Sequence, residues 1–469
     1  MKPYLIALAC SVLISESSIA QRAVLSAATR GFLAVDTPLV ALTHVTVIDG
    51  TGAPARDDQT IILRDGRIES VGPSGRIAVP SSAQVLDLKG HTVIPGFVAL
   101  HEHTYLGGIN HPAPMMHSAL LYLASGVTTA MTAGSMLPYS ELNIKRMVDA
   151  GSLPGPRMHI AGPYLTGPRP EPGPFRIITS ADDATRVVNH WADEGATWFK
   201  ILSGPAAVVR AVVSAAHARG LKVTAHLCAV TFTDGAQMGV DALQHGFITN
   251  SEYVPGKQPD VCPRENQRAQ ADVDPTTPAV RESIRRIVAG GAAVVSTLGT
   301  YEAFSLTRAR LDTAELAMLT PLLRREVEET HATLARSAFI VPDRLLTRMM
   351  QWERLFVAAG GLLGAGSDPW GTGFMPGDGN QRNYELLIEA GFTSPTAVQI
   401  MTSNGARILG EHARTGSIEP GKAADLVVLR GSLAANPGVI RNVRIVFRDG
   451  YGYDPARLRN EVRGKLGAH

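Results

Sequence analysis

Val93-Ile94-Pro95-Gly96-Phe97-Val98-Ala99-Leu100-His101-Glu102-His103 sets the reading of this chain. A Pro-Gly entry leads into an unbroken apolar run, the pattern of a short strand buried on both faces. In a strand, residues two apart share a side, so His101 and His103 face one way where the strand ends. Two neutral imidazoles converging from a strand end make half of a metal site. Taken alone, the triplet reads as two ordinary histidines near a turn, because His-x-His recurs by chance. What decides is whether other strand ends supply further ligands.

The same texture repeats downstream. Short apolar strands are expected at 96–100, 127–131, 157–161, 197–202, 221–226, 240–245, 292–298 and 361–367. Helical stretches such as 181–194 and 206–219 lie between them, the latter stopping at Gly220. Strand–helix alternation implies a parallel sheet, and eight such units over about three hundred residues fit a (β/α)8 TIM barrel. An open doubly wound sheet is the competitor, but no glycine-rich phosphate loop follows the first strand. Upstream, Arg64-Asp65-Gly66-Arg67 reads as a tight hairpin turn between two strands. After Gly410 the β texture returns, with Leu426-Val427-Val428-Leu429 and Val443-Arg444-Ile445-Val446-Phe447 as strands. The expected organisation is a signal peptide at 1–20, a connector at 21–40, the barrel at 94–412, and a small β-sandwich domain formed from both chain ends, 41–93 and 413–469. Two stretches exceed ordinary loops, 250–278 and 301–342. Both follow late barrel strands and are expected over the face where the site lies.

In a barrel the reactive groups sit at the C-terminal strand ends. Strand one ends in His101 and His103, and strand four carries Lys200 within Trp198-Phe199-Lys200-Ile201-Leu202. Strand five ends in His226, strand six in His245 and strand eight in Asp368. The chain has 14 histidines, so any one could be incidental. Four at strand ends, with an aspartate on the last strand, form a much stronger pattern. Lys200 needs its own argument. Burial of an ammonium is costly and lowers its pKa. A neutral amine can take up CO2 as a carbamate, whose two oxygens can bridge two cations. The plainer alternative is a lysine whose head pairs with a carboxylate at the strand end.

Hydrophobic residues at 45 % and charged residues at 18 % are globular composition and argue against long disorder. The net charge of +2 disfavours a nucleic-acid binder, which needs a strongly basic face. Lys2, the apolar stretch 4–14 and Ser18-Ile19-Ala20 have the form of an export signal, too short to span a membrane. Removing 1–20 takes away Lys2 and Glu16 and leaves the charge at +2. Cys10 raises a lipoprotein alternative, but it lies inside the apolar stretch without the usual preceding leucine. A periplasmic or secreted protein is expected, with no membrane partner. Cys228 and Cys262 then remain in an oxidising compartment, either as a disulfide or as two separate thiols.

With these residues in view, the chain resembles the amidohydrolase superfamily, in particular its imidazolonepropionase-like and Xaa-Pro-dipeptidase-like members with two metals. The resemblance runs over roughly 45–450. Its carriers are Pro95-Gly96-Phe97 before His101-Glu102-His103, and Gly126-Val127-Thr128-Thr129. Gly239-Val240-Asp241-Ala242-Leu243-Gln244-His245-Gly246, Gly366-Ser367-Asp368 and Gly416-Ser417-Ile418-Glu419-Pro420-Gly421-Lys422-Ala423-Ala424-Asp425-Leu426 add to it.

The resemblance implies that His101, His103 and Asp368 hold one divalent metal ion and that His226 and His245 hold a second. A carboxylated Lys200 and a hydroxide bridge them. Zinc is the default by ligand type. Two cations acidify the shared water, hydroxide attacks a carbonyl, and Asp368 serves as general base and then acid.

Relatives often carry a tyrosine just after the strand-five histidine, where this chain has Leu227-Cys228-Ala229. They often carry a histidine after strand three, where it has Gly162-Pro163-Tyr164-Leu165-Thr166-Gly167-Pro168-Arg169. Dipeptidase specificity is therefore not carried over. Tyr301 and Arg169 are candidate substrate contacts, with plain surface-loop positions as the slightly preferred alternative.

The leading expectation is a hydrolase acting on an amide of a small molecule: peptide-like, N-acyl amino acid or ochratoxin-type aromatic. Hydrolysis of a cyclic amide, lactone or ester, or deamination, is the alternative. A barrel that only binds ligand ranks low, and a homo-oligomer is left open.

Overall fold

A computed structural model describes residues 22, 24–106, 113–168, 173–263, 266–308, 311–337, 340–369 and 374–467. Eight parallel strands appear where the apolar runs lie. They are Phe97–Glu102, Val127–Thr132, Arg157–His159, Trp198–Ser203, Lys222–Ala225, Ala242–Gln244, Ala293–Ser296 and Leu363–Ala365. We refer to them as strands one to eight. Strands three, two and one form one ladder in that order; the other runs from Arg176–Ile177 through Tyr164–Thr166 to strands four to eight in sequence order. Ile160 carbonyl, just past strand three, accepts from the amides of Thr197 and Trp198 at 2.9 and 3.2 Å. His101 carbonyl in strand one accepts from the Asp368 amide, just past strand eight, at 2.7 Å. The arrangement is a TIM-barrel-like α/β fold.

Both faces of these strands are buried, which is why the runs are continuously apolar rather than alternating. Val98, Leu100, Met131, Trp198, Ala242, Ala293 and Val295 form one cluster, capped by Ala406, Ile408 and Leu409. Phe97, Ala99, Phe199, Ile201, Val223 and Val294 pack outward against the helices. Helix Ala206–Ala218 presents Val208, Val209, Val212, Val213 and Ala216 to that layer, a stripe at helical spacing. Helix Ala181–Glu194 starts where the Ser180 hydroxyl accepts from the Asp183 amide and stops at Gly195, φ 111°.

The strands from both chain ends share one nine-stranded sheet. Leu426–Arg430 pairs with His91–Pro95 on one side and Val443–Arg448 on the other. In the hairpin at Asp65-Gly66 both residues have positive φ, 49° and 82°, and Asp449-Gly450 repeats this with 48° and 76°. The stretch 21–40, read as a patternless connector, differs from that expectation. It carries helix Ala27–Arg30 and strand Leu33–Val35, which pairs with Tyr451–Tyr453. Only three residues long, Leu33–Val35 gains its place from its partner strand, and so is weakly marked in sequence.

The insertion after strand six contains a short 3-10 turn, Ser251–Tyr253, and helix Asn266–Gln270. A disulfide joins Cys228 to Cys262, tying this insertion to the end of strand five. The stretch after strand seven holds helices Leu298–Glu302, Thr313–Leu316 and Pro321–Thr333. No helix among the described residues is long and apolar enough to cross a membrane. The signal-peptide stretch 1–20 lies outside the described residues.

Candidate metal centre

Strand one does not run straight into the site. Its register against strand two slips by one residue between Ala130↔Ala99 and Thr132↔Glu102. Such a bulge re-aims the strand end. His103 Nε2 lies 3.2 Å and His101 Nε2 3.4 Å from Asp368 Oδ1. Two ligands on one cation at about 2.1 Å and tetrahedral angles stand about 3.4 Å apart, so this spacing suits a shared ion. Glu102 turns the other way, accepting from the Ser367 amide at 2.9 Å and from its hydroxyl. That tie holds strand one to the end of strand eight. Gly366 is required there, because a Cβ would lie 2.4 Å from the His101 nitrogen.

A chain of hydrogen bonds sets the tautomer of His101. Thr224 hydroxyl donates to the Ala242 carbonyl at 3.0 Å, so its oxygen is free to accept from Gln244 Nε2 at 2.6 Å. Gln244 Oε1 then accepts from His101 Nδ1 at 2.7 Å. The proton therefore sits on Nδ1 and the Nε2 lone pair faces Asp368. We expect Gln244→Leu to weaken zinc binding by roughly 10- to 100-fold, the usual loss when the holder of a ligating histidine is removed. Chelator competition measures it, and unchanged affinity would show that His101 needs no such holder.

The other half of the site comes from strands four, five and six. The rings of His226 and His245 are 4.6 Å apart, and those of His101 and His245 4.8 Å. His245 Nδ1 meets the Thr297 hydroxyl at 2.8 Å and lies 3.6 Å from Asp368 Oδ2. Asp368 Oδ1 thus faces His101 and His103, and Oδ2 faces His245. Leu227, His245 and Asp368 all have left-handed backbones, φ 53°, 70° and 43°. Such conformations cost of order 1–3 kcal/mol each and gather at functional sites.

Burial pushes the His101, His226 and His245 imidazoles down, His226 to about 3, so all three are neutral near pH 7. Burial pushes the Asp368 carboxyl up, but His101, His103 and His245 together hold it well below the usual carboxylate range. Lys200 is 1 % exposed, and its Nζ has no hydrogen-bond partner among the described residues. Burial lowers its pKa to about 7, against the pull of Asp368. Neutral imidazoles, a carboxylate and an orphaned amine fit divalent cations. One nitrogen or oxygen each from His101, His103 and Asp368 lies within 4.8 Å of the others.

These groups open on a cavity of about 780 Å³. Phe175, Leu202, Ile248 and Phe304 give it apolar walls. Tyr301 also lines it, 4 % exposed on helix Leu298–Glu302, with its ring edge-on to His245. The surface-loop alternative for Tyr301 is thus corrected, because the helix after strand seven turns it inward. Arg169 lies outside the described residues. Gln244, Thr297 and Tyr164 were not singled out from sequence. Gln244 was detectable, since it is a polar residue ending an apolar strand beside a strand-end histidine.

The Amidohydrolase family profile matches residues 354–450, the segment that carries Asp368. An imidazolonepropionase of Chromobacterium violaceum is 43 % identical over 60 residues, 12 % of this chain and 14 % of that relative. Over these segments the chain is similar to amidohydrolases, a family of hydrolases. The match spans only about a seventh of that relative's length. Among solved structures, a Xaa-Pro dipeptidase with bound methionine in the active site shares the fold, with TM-score 0.66 and 18 % identity. The alignment covers 89 % of this chain and 100 % of that one. The ochratoxinase of A. niger does so with TM-score 0.63 and 16 % identity, covering 92 % of this chain and 100 % of that one.

Proposed function

We propose that this amidohydrolase is an exported, binuclear metal-dependent enzyme that cleaves the amide bond of a small molecule with a bulky apolar or aromatic part. The observation that carries this reading is the convergence of His101, His103 and His245 on the two oxygens of Asp368, with His226 and the buried Lys200 lining the same apolar-walled cavity. In this reading His101, His103 and Asp368 hold one divalent ion, and His226 and His245 hold the other. Lys200, as its CO2-derived carbamate, would supply an anionic ligand to them, and zinc suits the donors. Bound there, the ions supply Lewis-acid polarisation of a carbonyl and acidify water.

The chain's own groups do the rest. The apolar walls hold the aromatic or acyl part and exclude bulk water. Asp368, ionised and next to both groups of histidines, takes the proton released as water adds to the carbonyl carbon. It then gives that proton to the departing amine nitrogen as the carbon–nitrogen bond breaks. The names of two fold relatives, a Xaa-Pro dipeptidase and an ochratoxinase, agree with amide substrates. The apolar walls favour ochratoxin-type and N-acyl aromatic amides over small polar peptides.

We also read the two parallel ladders as one closed (β/α)8 barrel, supported by the backbone bonds from Thr197 and Asp368 across the two gaps. We read the nine-stranded sheet as a sandwich domain over 41–93 and 413–469, supported by a core shared between its ends: Leu42, Val47, Val93, Leu426 and Phe447. Export rests on the leader-like 1–20 and agrees with the Cys228–Cys262 disulfide.

Zinc-loaded enzyme offered N-benzoyl-L-phenylalanine, an aromatic lactone and a cyclic urea tests the reaction class. We expect the amide to be cleaved at least tenfold faster than the other two. Preference for the lactone or the urea would move the reaction to the alternative class.

A further inference from the structure

We propose that Tyr164 is a further catalytic residue, its phenol hydrogen donated to the carbonyl oxygen of the bound amide and Tyr105 positioned behind it. This rests on the amide-hydrolase reading above. Tyr164 opens the short strand Tyr164–Thr166, which pairs in parallel with strand four, and it sits in register with Lys200. Its side chain lines the cavity together with His101, Lys200 and Asp368. The hydroxyl lies 3.3 Å from His103 Nε2 and 3.1 Å from the Tyr105 hydroxyl. Gly134, φ 90°, makes room for this placement. A Cβ there would fall 2.6 Å from the Tyr164 ring and 2.9 Å from Lys200 Cγ.

The hydrogen-bond inventory gives the direction. A phenol has one hydrogen to donate and an oxygen that accepts. Tyr105 is 2 % exposed, and its hydroxyl is bonded to that of Tyr164. His103 Nε2 is the nitrogen turned to Asp368, hence the ligand atom. Once its lone pair is committed to a cation, it no longer accepts from Tyr164. Tyr105 then donates to the Tyr164 oxygen, and the Tyr164 hydrogen is left for an acceptor inside the cavity. A pre-set donor aimed at a carbonyl oxygen gains strength as that oxygen becomes an oxyanion. Tyr164 therefore contributes chiefly to the transition state and little to ground-state binding.

The test uses zinc-loaded wild type, Tyr164→Phe and Tyr105→Phe. Three quantities are read: zinc per chain, kcat and KM on N-benzoyl-L-phenylalanine, and the affinity of its phenylphosphonamidate, in which tetrahedral phosphorus replaces the carbonyl carbon. We expect Tyr164→Phe to keep its zinc and its KM, to lose kcat by roughly 10²- to 10³-fold, and to lose analogue affinity in parallel. Tyr105→Phe should keep its zinc and lose kcat by roughly tenfold, as a positioning residue does. A Tyr164→Phe enzyme within threefold of wild-type kcat, or one that sheds zinc in step with activity, overturns the proposal. Wild type that neither cleaves the amide nor binds the phosphonamidate overturns the amide reading itself, and the role of Tyr164 with it.

Discussion

Lys200→Ala is expected to lower turnover by roughly 10³-fold, about 4 kcal/mol of barrier, and to leave about one tightly held zinc per chain. Lys200 Nζ has no hydrogen-bond partner among the described residues, and its lowered pKa keeps much of it as the free amine near pH 7. A buried amine with nothing to bond is unstable unless something completes it. In the proposed reading a carbamate would do so, as an anionic ligand with two oxygens. The alanine variant removes both the ligand and its stem, leaving space for a small acid. Acetate or propionate should restore part of the activity and the second zinc, while methylamine should restore neither. Rescue by the amine instead would assign Lys200 a role as an ammonium or free base.

The second large effect is at Asp368. Asp368→Asn keeps the size of the side chain and one oxygen, so much of the metal should stay. The carboxylate that accepts and returns a proton is lost, and turnover should fall by roughly 10²- to 10⁴-fold. Zinc analysis and single-turnover kinetics on the same preparation separate the two. Near-normal turnover would remove Asp368 from proton transfer. Loss of zinc in proportion to activity would make it a ligand and nothing more.

Much of this site was legible because each member stands at the end of an apolar run. His101, Lys200, His226, His245 and Asp368 each close or interrupt a strand pattern, and parallel strands deliver their ends to one face. Other features depend on neighbours that no spacing records. The bulge between Ala99 and Glu102 exists only relative to strand two. Gln244 acquires its role from Thr224, one strand away. Tyr164 reaches His103 because Tyr164–Thr166 adds a strand beside Trp198–Ser203. That addition comes from a Pro- and Gly-rich stretch that reads as loop. The pairing of Cys228 with Cys262, 34 residues apart, depends on how the insertion folds back, which composition does not report. Leu33–Val35 is a strand only because Tyr451–Tyr453 lies beside it.

The count of cations per chain bears most directly on the whole account. The protein is saturated with zinc, freed of excess by gel filtration and analysed by inductively coupled plasma mass spectrometry against amino-acid content. Two zinc ions per chain are predicted; a value that never exceeds one contradicts it.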